Sequence, residues 1–128
     1  MRYLLDTHAL LWRAMDSDHL SARASGIIDD PDNEVLVSGA SAFELALKNR
    51  FGKLPGIEPL LARFSATMAD LRLAELPITP GHSVAAGLFQ SPHRDPFDRI
   101  IAAQAMIEGA VVVTKDRAFQ TFPVQTLW

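Results

Sequence analysis

Three short apolar runs in this chain are each followed by an acidic residue. They are residues 3–5 before Asp6, residues 35–37 ahead of Glu44, and residues 111–113 ahead of Asp116. Runs of β-branched and large aliphatic side chains are typical of strands buried on both faces, as in a parallel sheet covered by helices. Because ligands bind beyond the carboxyl ends of such strands, we expect the acids to share one edge of the sheet.

Composition limits the class of protein. The chain has 128 residues, of which 48% are hydrophobic and 21% charged, and this predicts one globular domain over residues 1–128. The absence of cysteine excludes a disulfide framework and a thiolate metal site, and it fits a cytoplasmic protein. The formal net charge of −3 argues against coating of nucleic acid by bulk charge. No signal peptide or membrane span is expected.

Helical and strand-like segments alternate along the whole sequence, which predicts an α/β fold. Periodicity and turn residues predict helices over residues 9–15, 21–28, 41–51, 59–71 and 79–89, with a further helix beginning at Asp95 and Pro96. Further strands are predicted over residues 34–38, 73–78, 110–114 and 124–127. The helix after Asp95 is nearly apolar all round, so we expect it to be central and buried.

Each acid also has a structural interpretation. Ser41 and Glu44 have the spacing of a capping box, in which Glu44 hydrogen-bonds the helix start. Asp95 suits the N-cap of the following helix, with Pro96 at the first helical position. Asp6 and Asp116 could likewise cap the short helices that follow them. Asp98 is different, because Asp95 already serves the free N–H groups there, and we favour Asp98 as a ligand.

Acids brought together in this way require a cation or shared protons. Two carboxylates about 4 Å apart repel by about 4 kcal/mol at an effective dielectric constant near 20. An oxygen-rich site without cysteine suits Mg²⁺, with Mn²⁺ as an alternative, better than zinc. Such an ion supports phosphodiester hydrolysis. The nearby basic residues are candidates for holding a nucleic-acid backbone: Lys48, Arg50, Lys53, Arg94, Arg99, Lys115 and Arg117.

Other chemistries lack support in the sequence. The histidines show no H-x-x-x-H spacing, and neither a nucleophile elbow nor a phosphate-binding glycine loop occurs. His8 and His93 are interpreted as exposed loop histidines, although both lie close to acids. Trp12 and Trp128 are assigned to the core or to an interface rather than to base stacking.

These motifs together resemble the PIN-domain family, and more closely its VapC-type toxins. The resemblance rests on residues 5–8 (LDTH), residues 38–48 around Glu44, residues 93–105 (HRDPFDRIIAAQA) and residues 114–116 (TKD). It implies a three-layer α/β/α fold with a central, mainly parallel sheet. It also implies a Mg²⁺- or Mn²⁺-dependent endoribonuclease that forms a homodimer and is inhibited by a cognate antitoxin.

The resemblance carries the family's four acids onto Asp6, Glu44, Asp98 and Asp116, as metal ligands and catalytic residues. Asp95 belongs to the same motif, but its capping role makes it mainly structural. Thr7 and Thr114 would be polar neighbours of the acids, and Arg99 would balance their charge.

Two other functions are compatible with an alternating α/β chain. A phospho-receiver-like signalling domain fits poorly, since it would need paired acids after the first strand and a phospho-acceptor aspartate ending a middle strand, whereas Asp6 is single. A non-catalytic PIN-like binding module would have the same fold without needing the metal.

Overall fold

A computed structural model describes all residues from 1 to 128. Its centre is a five-stranded sheet in the order β3-β2-β1-β4-β5, and every pair of neighbouring strands is parallel. The strands are β1 (Arg2–Leu5), β2 (Glu34–Ser38), β3 (Ala74–Leu76), β4 (Val111–Val113) and β5 (Thr126–Leu127). The predicted parallel α/β sheet is therefore confirmed.

Seven α-helices connect and cover the strands. They are α1 (Thr7–Ala14), α2 (Ala22–Asp29), α3 (Gly39–Arg50), α4 (Glu58–Ala62), α5 (Phe64–Asp70), α6 (Pro80–Leu88) and α7 (Pro96–Glu108), with a short 3₁₀ helix at Arg117–Thr121. None of them combines the length and the hydrophobicity that crossing a bilayer requires.

The apolar strands supply two separate cores, one on each face of the sheet. Successive side chains of a strand point to opposite faces, so Leu4 and Leu5 belong to different clusters. One cluster joins Leu5, Val37 and Val113 to residues of α1, α2, α4 and α5. The other joins Leu4, Leu36 and Val112 to α7 and the 3₁₀ helix. The continuous apolar runs thus follow from a sheet between two helical layers, and the predicted three-layer fold is confirmed.

The helix predicted over residues 59–71 is two helices. The backbone of Arg63 leaves the helical region, with φ −128° and ψ 38°, so that α4 ends at Ala62 and α5 begins at Phe64. Leu60 and Met68 are buried on either side of the break. Apolar spacing did not reveal the break because both halves still bury their apolar residues.

Two predicted burial patterns differ from the structure. In α7, residues Ile101 to Ala105 are buried, but Met106 and Ile107 are 42% and 50% exposed, so the helix is central over only part of its length. The spacing of Phe43, Leu47 and Phe51 predicts one apolar stripe on the third helix, but Phe43 is 61% exposed and Phe51, just after the helix, 64%. Helix α3 instead buries two polar residues, Ser41 and Glu44.

The two-sided packing predicts a large effect of shortening a β1 side chain. Leu4 is fully buried, whereas Leu88 on α6 is 76% exposed. Leu4→Ala should lower the free energy of unfolding by about 2–5 kcal/mol through lost burial and a residual cavity. The control, Leu88→Ala, should change it by less than about 0.5 kcal/mol. Urea denaturation of both variants gives the comparison, and equal effects would contradict the layer assignment.

Candidate metal centre

The site lies where the three central strands end. Leu5 of β1 is opposite Val37 of β2 and Val113 of β4. The residue that follows β1, Asp6, donates its backbone N–H to the carbonyl of Val113 at 3.1 Å. The segments that follow these strands therefore leave the sheet at a common edge, which is where a ligand of a parallel α/β sheet binds.

Asp6 is held rigidly at this edge. Its carboxylate is 4% exposed, and Oδ1 accepts the N–H of Ala9 at 2.8 Å, which makes Asp6 the N-cap of α1. Oδ2 accepts the hydroxyl of Thr114 at 2.5 Å. Burial raises the pKa of the Asp6 carboxyl, the two hydrogen bonds lower it, and the nearby charge of Asp116 raises it further. Asp6 thus serves as the expected cap and also faces a second acid of the site.

Asp98 projects from the first turn of α7. Its Oδ2 lies 2.8 Å from Nε2 of His93. Burial raises the pKa of the Asp98 carboxyl to about 6; the His93 hydrogen bond opposes this rise, and the charges of Asp95 and Glu44 add to it. Asp98 therefore has two acidic neighbours and one histidine neighbour.

Glu44 lies within α3 and is 3% exposed. Its Oε2 accepts from Nζ of Lys48 at 2.6 Å, whereas its Oε1 is buried and has no hydrogen-bond partner. A buried carboxylate oxygen without a partner is costly. Together with the influence of Glu44 on Asp98, this oxygen indicates that the site is built to receive a cation.

The predicted capping box at Ser41 and Glu44 was wrong. Helix α3 begins two residues earlier, at Gly39, and its N-cap is Ser38, whose hydroxyl accepts the N–H of Ala40 at 2.9 Å. The hydroxyl of Ser41 is hydrogen-bonded to that of Thr7 at 3.0 Å. Thr7 therefore connects α1 to α3 through a buried hydrogen bond, and Glu44 has no role at the start of its helix.

Asp116 completes the group of acids on the β4 side. It is the N-cap of the 3₁₀ helix, with Oδ1 accepting from the N–H of Ala118 at 2.9 Å. Its own N–H donates to the hydroxyl of Thr114 at 3.0 Å. Since Thr114 also donates to Asp6, one buried threonine connects these two acids.

The donor set fits a hard divalent cation. One ligand atom each of His93, Asp98 and Asp116 lies within 4.8 Å of the others. Carboxylate oxygens are preferred by Mg²⁺ and Mn²⁺, and His93 is hydrogen-bonded to one of the two carboxylates, that of Asp98. The structure therefore brings Asp98 and Asp116 together directly. Asp6 is close enough to Asp116, and Glu44 to Asp98, for the charge of one acid to raise the pKa of the other.

Asp95 and Arg99, two residues of the motif at 93–105, hydrogen-bond to main-chain groups. Oδ1 of Asp95 accepts the N–H groups of Phe97 and Asp98 at 2.9 and 3.1 Å, as expected of an N-cap. Arg99 was expected to balance the charge of the acids. Instead its guanidinium donates to main-chain carbonyls, including those of Ala86 at 2.9 Å and His93 at 2.8 Å, and it makes no ion pair with a carboxylate.

Sequence reasoning missed His93 as a member of the site. It is 23% exposed at its side chain, and its ring packs on the edge of Phe122, with centroids 5.9 Å apart. The only available signal was its position five residues before Asp98, across the Pro96 helix start. Lys48 was proposed only for nucleic-acid contact, and the structure pairs it with Glu44.

Comparison with known families agrees with this arrangement. The family model described as PIN domain matches residues 3–124. This chain belongs to the PIN-domain family. Among curated relatives of this PIN-domain protein is Ribonuclease VapC22 of Mycobacterium tuberculosis, which is 35% identical over 121 residues, or 92% of this chain and 89% of the relative. The family resemblance predicted from the sequence is confirmed.

Solved structures show the same PIN fold at low sequence identity. VapBC2 from Rickettsia felis, bound to a promoter DNA fragment, has a TM-score of 0.73 and 18% identity, covering 100% of this chain and 99% of the other. VapBC-1 from nontypeable Haemophilus influenzae has a TM-score of 0.73 and 21% identity, covering 99% and 97%. FitAcB from Neisseria gonorrhoeae has a TM-score of 0.66 and 20% identity, covering 98% of this chain and 96% of the other.

The raised pKa of Asp98 predicts a stability difference that depends on pH. Because this pKa is about 6 rather than 3.8, the folded protein binds the proton more tightly than the unfolded chain. The free energy of unfolding therefore falls as pH rises from about 4 to about 6. Metal-free Asp98→Asn avoids this loss, and above pH 6 it should be more stable than the natural protein by roughly 2 kcal/mol, with no such gain at pH 4.

Urea denaturation with a chelator at pH 4 and pH 8 measures this difference. Asp18→Asn is the control, because the Asp18 side chain is wholly exposed, and it should match the natural protein at both pH values. A metal-free Asp98→Asn protein that is less stable than the natural one at pH 8 would contradict the electrostatic description of the site.

Proposed function

We propose that this protein is a divalent-metal-dependent endoribonuclease that acts as the toxin of a toxin–antitoxin pair, with one PIN domain over residues 1–128. The observation that carries the proposal is the convergence of the acids at one sheet edge, with a buried Glu44 oxygen that lacks a partner. The curated relative is a ribonuclease, and the similar solved structures include VapBC assemblies.

The residues have separable roles in this proposal. Asp98 and Asp116 would hold the ion, Mg²⁺ or Mn²⁺, and the unpaired Oε1 of Glu44 would add negative charge to the same site. Asp6, fixed by Thr114 and by its N-cap bond, orients an attacking water. When bound, a divalent ion lowers the pKa of water and neutralises charge on a phosphoryl oxygen.

RNA reaches the site through local rather than overall charge. The protein as a whole is acidic, but Arg94, Lys115 and Arg117 are exposed next to the acidic residues in sequence. Exposed Lys and Arg side chains bind phosphates and fix the position of the strand without reading its bases. We therefore assign Arg94 and Arg117 to the RNA backbone.

The partners proposed from the family are an antitoxin and a second copy of the chain. The similarity of this chain to the solved VapBC-1 and VapBC2 structures supports the proposal of an antitoxin partner. Apolar side chains that lie on the surface, such as Phe43, Val84 and Leu88, offer contact area for such assemblies. The proposed location is the cytoplasm.

The strand order does not match a phospho-receiver domain. Receiver domains of the flavodoxin type have the order 2-1-3-4-5, whereas this sheet has the order 3-2-1-4-5. A non-catalytic PIN-like module would share the observed fold, and an activity measurement separates it from a ribonuclease.

Cleavage of RNA by two matched variants tests the proposal. Asp98→Asn removes a carboxylate of the metal centre, and activity in Mg²⁺ or Mn²⁺ should fall at least about 100-fold, as for loss of a group that acts in the transition state. Asp95→Asn keeps a good N-cap and should retain most activity. A chelator should abolish cleavage by the natural protein.

The assay uses purified protein, labelled RNA and gel separation of products, with folding of each variant checked by circular dichroism. Equal cleavage by the natural protein and Asp98→Asn, or cleavage that survives the chelator, would overturn the proposal.

A further inference from the structure

A cavity of about 280 Å³ opens beside the acids. It is lined by Asp6, His8, Trp12, Lys115 and Asp116. Two of these residues belong to the proposed metal centre, and the other three have no role in holding a cation. The volume is below the usual range for a drug-sized ligand, which fits a ligand group of one ring system.

Two rings on α1 lie along this cavity. His8 and Trp12 are one helical turn apart, with ring centroids 5.7 Å apart and planes inclined by 39°. His8 is exposed and Trp12 half-buried, whereas the neighbouring Ala9 and Leu10 are fully buried. Helix α1 therefore packs its aliphatic side into the core and leaves its ring-bearing side beside the acids.

The Trp12 ring is held in place by contacts outside the cavity. His19 stacks on it with centroids 5.3 Å apart and planes inclined by 20°, and Trp128 meets it edge-on at 5.6 Å. His19 is fixed in turn by Ser17, whose hydroxyl lies 2.7 Å from Nδ1. A ring fixed before binding loses little conformational freedom when a ligand stacks on it.

We propose that His8, Trp12 and Lys115 form a subsite for one nucleobase of single-stranded RNA, adjacent to the nucleotide whose phosphate lies at the metal centre. The proposal rests on the proposed function for RNA as the ligand. Aromatic rings beside a cationic side chain are the usual means of binding single strands, because every base offers a π-face. Lys115 lines the same cavity and supplies that cation, next to Asp116 in the sequence.

The two tryptophans make the subsite measurable. Trp12 and Trp128 are the only ones in the chain, so Trp128→Phe leaves Trp12 as the sole fluorescent reporter. Asp98→Asn in the same protein prevents cleavage during titration. The probes are RNA hexamers of uridine or adenosine and an abasic hexamer with the same sugar-phosphate backbone, all in Mg²⁺.

We expect the base-containing hexamers to quench Trp12 and to bind about tenfold more tightly than the abasic hexamer. His8→Ala should reduce this difference severalfold. Val84→Ala is the control, since Val84 is 62% exposed on α6 and neither lines the cavity nor contacts Trp12, and the preference for bases should remain. Equal binding of base-containing and abasic hexamers, or no binding of any hexamer, would overturn the subsite.

A hexa-arginine peptide tests the competing possibility that the cavity binds a basic protein segment. If the peptide quenches Trp12 and the RNA hexamers do not, the cavity is a site for a basic protein segment and the proposal is wrong. Cleavage by the Trp128→Phe protein, measured in parallel, tests the proposed function separately. Cleavage without a base preference would overturn only the subsite, and a base preference without cleavage would overturn only the nuclease.

Discussion

The parallel pairing of β1 with both β2 and β4 brings the segments that carry Asp6, Glu44 and Asp116 to one edge of the sheet. Because Leu5 is level with Val37 and Val113, the chain leaves all three strands at one edge. A single hydroxyl then connects Asp6 and Asp116, since Thr114 donates to the Asp6 carboxylate and accepts from the N–H of Asp116. A shift of one residue in this register would turn the side chains to the opposite face and separate the acids.

The same arrangement works against stability in the absence of a cation. Glu44 is buried with one oxygen unpaired, and burial raises the pKa values of Asp6 and Asp98. These carboxyls are therefore harder to ionise in the folded protein than in the unfolded chain. A ligand that binds only the folded state stabilises it, so a divalent cation would both stabilise this edge of the sheet and enable hydrolysis. The structural role of Lys48, which pairs with Glu44, is consistent with partial neutralisation of the same charge.

Local sequence patterns were sufficient for the strands and for the capping role of Asp95, because these depend on neighbouring residues. They failed where the decisive contact lies far away in the chain. Ser41 and Glu44 have the spacing of a capping box, but Ser41 is hydrogen-bonded to Thr7, and the helix begins at Gly39. His93 was missed for a related reason, since its importance depends on the turn that brings it against Asp98.

The metal centre can be tested by locating Mn²⁺ in crystals of this protein from its anomalous scattering. We predict one dominant peak within coordination distance of the Asp98 and Asp116 carboxylates, and its loss in Asp98→Asn crystals grown in the same form. The other end of the sheet provides an internal control, because Asp29, Asp30 and Asp70 line a separate cavity there. A dominant peak at those residues, or no peak at Asp98 and Asp116, would contradict a metal centre at the carboxyl ends of the strands.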